Sequence, residues 1–81
     1  MQPQPSREWS YAFGKIRVTD VALVVDAPGR HASIARAEIV GVERSGFLGA
    51  TTLTIAHRGG KLKLDYVKAK AAREIALALG F

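Results

Sequence analysis

Between positions 9 and 66 the chain alternates apolar and polar residues in short runs, and after that the spacing becomes that of a helix. Trp9, Tyr11 and Phe13 share one parity; Ile16 and Val18 fall on the other, with Gly14 between the two sets. A change of parity across a glycine predicts a bulge or bend at Gly14 in a strand running from Trp9 to Val18, with Lys15, Arg17 and Thr19 turned outward. Asp20 marks a tight turn. Positions 21–26 are apolar and β-branched, the pattern of a buried strand. In Ala27-Pro28-Gly29-Arg30, proline fixes φ and glycine takes a positive φ, which predicts a turn.

Four more segments follow. Positions 31–35 read as a short strand with Ala32 and Ile34 inward. Positions 38–45 read as another, with Ile39 at its start and Val40 and Val42 along one side. After a 46–49 loop, positions 51–57 set Leu53 and Ile55 against Thr52 and Thr54. Arg58-Gly59-Gly60-Lys61 predicts a hairpin turn. Beyond it Lys61, Lys63 and Asp65 alternate with Leu62, Leu64 and Tyr66. The count is six strands.

Asp65 is the expected N-cap of a terminal helix and Gly80 its C′ residue. Val67, Ala71, Ile75 and Leu79 recur every fourth residue with Ala72 and Ala78 beside them, while Lys70, Arg73 and Glu74 occupy the other side. Leu77 falls near the charged side. It is either a singly exposed leucine or a self-association contact.

Composition narrows the possibilities. Eighty-one residues make one domain with a small core. Residues 1–8, with Pro3 and Pro5, read as a flexible tail, and 9–81 as the domain. A hydrophobic content of 48% fits a folded globule. The absence of cysteine excludes disulfides and thiolate metal sites and suits a reducing cytoplasm. No run is long and apolar enough for a bilayer span, and no apolar signal core begins the sequence, so the expectation is a soluble, cytoplasmic protein. Twelve Lys and Arg against seven Asp and Glu give a net charge of +5. That favours encounters with anionic partners, although scattered charge also serves solubility alone.

Reactive constellations are missing from the pattern. His31 and His57 are the two histidines; Ser33 lies two positions from His31 on the same strand face, but nothing else in the sequence marks the pair. The carboxylates Asp20, Asp26, Glu38, Glu43, Asp65 and Glu74 read as caps and solvated faces, not as metal ligands. Gly59-Gly60 fits no phosphate-loop spacing. The expectation is a protein without catalytic residues, metal, cofactor or small-molecule substrate.

The run Phe13-Gly14-Lys15-Ile16-Arg17-Val18-Thr19-Asp20, followed by Ala22-Leu23-Val24-Val25, resembles the first strands of bacterial pleckstrin-homology-like domains. Ala37-Glu38-Ile39-Val40-Gly41-Val42-Glu43 is similar to a strand in which Ile and Val anchor the family's sheet. Gly46-Phe47-Leu48-Gly49 with Thr52-Leu53-Thr54-Ile55 resembles its glycine-flanked loop and next strand. The terminal helix matches the one that plugs the barrel. The resemblance spans residues 11–79. It implies a mainly β, two-sheet antiparallel barrel or roll of seven strands capped by the C-terminal helix. It also implies a scaffold for lipids, peptides or proteins. The count of six leaves two readings, a run from Trp9 to Val18 split at Gly14 or an abbreviated barrel with an unpaired edge. The Thr19-Asp20 turn, taken as the first, is too short for a phosphoinositide pocket.

These readings lead to a non-catalytic module that binds a protein or peptide and self-associates, through a sheet edge or the 46–49 loop. Its candidate contacts are Phe47, Leu48 and Leu77. The alternative is a module for nucleic acid or an anionic lipid surface, with Arg58, Lys61, Lys63, Lys68 and Lys70 as the anion-binding group.

Overall fold

Alternating β-branched and small apolar residues fold this chain into two antiparallel sheets, and its alanine-rich end into a helix. The structure is a computed structural model that describes residues 7–47 and 50–81, Phe47 by its backbone alone. β1 (Arg7–Tyr11), β2 (Gly14–Val18), β3 (Ala22–Ala27) and β4 (Arg30–Ala35) form a four-stranded sheet in chain order. A 3-10 turn (Arg36–Glu38) leads into β5 (Ile39–Phe47), β6 (Ala50–His57) and β7 (Gly60–Lys68), the second sheet, and α1 (Ala69–Ala78) follows. The molecule is therefore mainly β with one C-terminal helix, as the alternation predicts.

Among the described residues there are seven strands, not six. The run from Trp9 to Val18 is two strands joined at Ala12-Phe13, with Tyr11 opposite Gly14. Glycine at 14 is a matter of room: a Cβ there would lie 2.8 Å from both Cα and Cβ of Ala27 on the neighbouring β3. The turn at Thr19-Asp20 is consequently the second of the sheet. Thr19 builds it, its Oγ1 accepting from the amides of Val21 (3.2 Å) and Ala22 (3.0 Å). Val21 belongs to that turn and is 67% exposed, so the expected strand at 21–26 starts one residue later and buries one face only. Arg7 and Glu8, expected in the tail at 1–8, pair in β1 with Val18 and Arg17; residues 1–6 lie outside the described residues.

Two inner faces make the core. Ile16, Val25 and Ala32 form one row of the first sheet, and Val18, Leu23 and Ile34 the next. Val42, Ile55 and Leu62 face them from the second sheet, with Leu53, Leu64 and Val67. Ala72, Ile75 and Leu79 of α1 close the same cluster. The outer face of the first sheet is solvated and mixed in charge, with Lys15 Nζ 3.5 Å from Glu8 Oε1.

The helix starts later than its sequence suggests. Asp65 and Val67 are still strand, Lys68 occupies the N-cap position, and the Asp65 carboxylate accepts from Thr52 Oγ1 (3.1 Å) instead of capping. The C-terminus ends as expected. Gly80 takes φ +87°, which favours glycine, and the amides of Gly80 and Phe81 return to the carbonyls of Leu77 (3.0 Å) and Ala76 (2.8 Å). Two long-range ties hold α1 on the sheets. Trp9 Nε1 donates to Glu74 Oε1 (3.0 Å), so Glu74 is not simply solvated, and the Arg7 guanidinium stacks 4.9 Å above the Trp9 ring. Arg36 Nη2 donates to Ala78 O (3.0 Å) and its Nη1 to Thr19 O (3.3 Å), placing a cation where the helix dipole is negative.

Since the atoms facing Gly14 are backbone of Asp26 and Ala27 and a Cβ fixed directly to it, none can yield easily, and Gly14→Ala is expected to lower stability by about 1–3 kcal/mol. A urea titration measures this as a lower midpoint at unchanged slope; an unchanged midpoint contradicts the close packing of β2 on β3.

Candidate functional site

Two register shifts decide what the second sheet shows to solvent. In the β5–β6 pair, Ile39 lies opposite His57 and Gly41 opposite Ala56, so Val40 is an extra residue. Ile39 stays buried, Val42 packs on the core, and Val40 is pushed out to 62% exposure. Val40 and Val42 thus do not share a side, contrary to their parity. In the β6–β7 pair, Leu53 lies opposite Leu64 but Thr51 lies opposite Val67, so Asp65 and Tyr66 together face Thr52. This two-for-one pairing reverses the alternation. Leu62, Leu64 and Val67 point inward, and Tyr66, expected inward with the leucines, is 62% exposed.

Tyr66 bears a conformational load there. Its φ is +61°, and it is the one non-glycine with positive φ among the described residues. Bulky L-residues avoid this region, at a cost of about 1–2 kcal/mol. Strain of this kind gathers at functional sites.

β7 runs across the turn ends of the first sheet. Near its start, Lys63 O accepts from Arg30 Nη2 of β4 (3.2 Å). Near its end, Tyr66 meets the β1–β2 turn. The Phe13 ring lies 5.9 Å from the Tyr66 ring at 59° and 6.0 Å from the Tyr11 ring at 70°. Phe13 is 53% exposed, so two of the three rings are open to solvent.

A cleft flanks Tyr66 on each side. One, about 330 Å³, is lined by Ser45, Ala50, Thr52, Asp65 and Tyr66. The other, about 350 Å³, is lined by Ser10, Tyr11, Ala12, Tyr66 and Lys68. The Tyr11 hydroxyl is buried and has no hydrogen-bond partner among the described residues. The first cleft offers a carboxylate, the second an ammonium group, and aromatic rings separate them. Such a surface offers ring faces for stacking and one charge of each sign for pairing.

The residues singled out from the sequence fall in three places. Arg58, Lys61 and Lys63 are exposed at the β6–β7 hairpin, where Arg30 joins them through Lys63. Lys68 ends β7, about 16 Å beyond Lys63 at ordinary strand rise, and Lys70 lies in the first turn of α1. The expected five-residue basic group is therefore split, and Lys68 goes with the aromatic rings. Leu77 is 65% exposed in the last turn of α1, roughly 13 Å along the helix from Lys68. The Phe47 side chain and Leu48 lie outside the described residues. Sequence reasoning missed Tyr11, Phe13 and Tyr66 as a group. The available signal was Tyr66-Val67, adjacent large apolar residues of which a strand can bury only one.

Among the described residues, no group of three or more His, Asp or Glu could hold a metal ion, and no helix is long and apolar enough to cross a membrane. No family model matches the chain, and no curated protein or solved structure does either.

The strain makes a measurable claim. Tyr66→Gly is expected to be neutral or to stabilise the fold by up to about 1 kcal/mol, whereas Tyr66→Val should cost about 1–2 kcal/mol at the same position. Thermal unfolding of both variants checks the order; a valine variant more stable than the glycine one contradicts the left-handed conformation.

Proposed function

We propose that this chain is a non-catalytic interaction module of pleckstrin-homology-like fold, bacterial and cytoplasmic, that binds a protein or peptide partner and associates with itself. Four strands plus three, β7 laid across the turns of the first sheet, and a terminal helix against the open side support the fold reading. The observation that carries the binding reading is the exposed, strained Tyr66 packed on Phe13 and Tyr11 between two clefts. Aromatic side chains supply large contact area at small entropic cost and are enriched at the centres of interfaces. Leu77 and Phe81, both more than half exposed near the end of α1, support the self-association reading.

A second reading rests on Arg30, Arg58, Lys61 and Lys63 at the other end of β7. This basic surface suits an anionic membrane or nucleic-acid backbone, with binding that falls steeply as salt rises.

Affinity capture with wild-type protein and with the Phe13→Ser variant tests the principal reading. A partner retained by the wild type and lost by a folded variant is expected; equal capture by both contradicts it. Light scattering tests self-association: a mass above the 8.7 kDa monomer is expected, reduced by Leu77→Asp, and a wild-type monomer at high concentration contradicts it.

A further inference from the structure

The charges beside Tyr66 carry the binding reading one step further, and the step rests on that reading. Asp65 and Lys68 lie in the two different clefts, with the Tyr66 ring between them. Neither forms an ion pair among the described residues, where Arg7 pairs with Glu74 and Lys15 with Glu8. Arg17, Asp20, Lys70 and Arg73 form none either; what sets Asp65 and Lys68 apart is that each lines a cleft beside the Tyr66 ring. Asp65 is fixed by the Thr52 hydroxyl, and its second carboxylate oxygen is open to a donor. Lys68 shares its cleft with Ser10 and Tyr11. That side presents a cationic donor to an acceptor; the other presents an acceptor to a donor.

Spacing says what bridges them. Asp65 and Lys68 are three residues apart on β7, about 10 Å at strand rise and somewhat less across the bulge. An extended peptide places successive side chains of one face about 7 Å apart, so charged residues on either side of one apolar residue are about 14 Å apart, and their long side chains lean inward to cover the difference. We propose that this surface takes an extended peptide segment in which an acidic residue or terminal carboxylate meets Lys68 and a basic residue meets Asp65, with an apolar side chain between them against Tyr66 and Phe13. The charge pairs set direction and register; the rings supply contact area. A polyanion is disfavoured here because its phosphates would meet the Asp65 carboxylate.

The ¹⁵N-labelled full chain, titrated and followed by NMR, tests this. The probe is a blocked pentapeptide with glutamate, leucine and lysine at its first, third and fifth positions and alanine between. Control probes carry two glutamates, or two lysines, in place of the mixed pair, and hexathymidylate represents single-stranded nucleic acid. The mixed-charge peptide is expected to shift amides of residues 10–13 and 64–68 and to bind more tightly than all three controls. Lys68→Glu should weaken it about five- to tenfold, since one exposed pair is lost and a like-charge contact appears, and Lys63→Glu, at the far end of β7, should leave it unchanged. Hexathymidylate or a like-charged peptide binding as tightly as the mixed one overturns the inference, as does indifference to Lys68→Glu. If that indifference comes with loss of binding in Phe13→Ser, the charge assignment falls and the interaction module stands. If Phe13→Ser also binds undiminished, both fall.

Discussion

Thr52 faces two residues of β7 where regular pairing would allow one, and that single mismatch sets much of the molecule. Without it, the strand would continue Leu62, Leu64, Tyr66 on the inner face, and Val67 would point to solvent. With it, Val67 is fully buried beside Leu53 and Leu64, and Tyr66 is turned outward onto Phe13. The same shift frees Asp65 from any helix-capping role, carries strand pairing on to Lys68, and so fixes where α1 begins. A large ring in a left-handed conformation opposes this arrangement, and burial of Val67 offsets it: a fully buried aliphatic side chain is worth about 1.5–3 kcal/mol.

The rest of the fold holds this edge in place. Gly14 lets β2 lie close against the end of β3, so the β1–β2 turn can present Phe13 to β7. Arg30 ties β4 to the start of β7. On the other side, Trp9 and Arg7 reach Glu74, and Arg36 reaches the last carbonyls of α1, so the helix is held near both its middle and its end. In a chain of this size such ties matter, because the core is small. They use polar atoms at the rim, and among the described residues Thr51 is the one buried polar residue.

Local patterns were legible in the sequence. Leu23 and Val25, Leu53 and Ile55, Leu62 and Leu64, and Ile75 with Leu79 all lie inward as their spacing requires. Pro28-Gly29 turns the chain, and Gly80 ends the helix, because each follows from the φ its own residue favours. What failed was register. Ile39-Val40 and Tyr66-Val67 are adjacent apolar pairs, and period-two counting cannot say which member the sheet will push out; the partner strand decides. The Trp9–Glu74 bond joins residues 65 positions apart and left no local mark. The aromatic surface was hidden for the same reason, since Tyr11 and Phe13 meet Tyr66 only after β7 is laid across the first sheet. The basic group at 58–70 looked continuous because sequence proximity ignores the length of an extended strand.

The register of β7 is open to direct observation by NMR. The account predicts cross-strand NOEs between Thr51 and Val67 and between Leu53 and Leu64, together with a strong amide-to-Hα NOE within Tyr66, the mark of positive φ. Cross-strand NOEs joining Thr51 to Tyr66 and Thr52 to Asp65 in unbroken antiparallel register, with Val67 open to solvent, would contradict it.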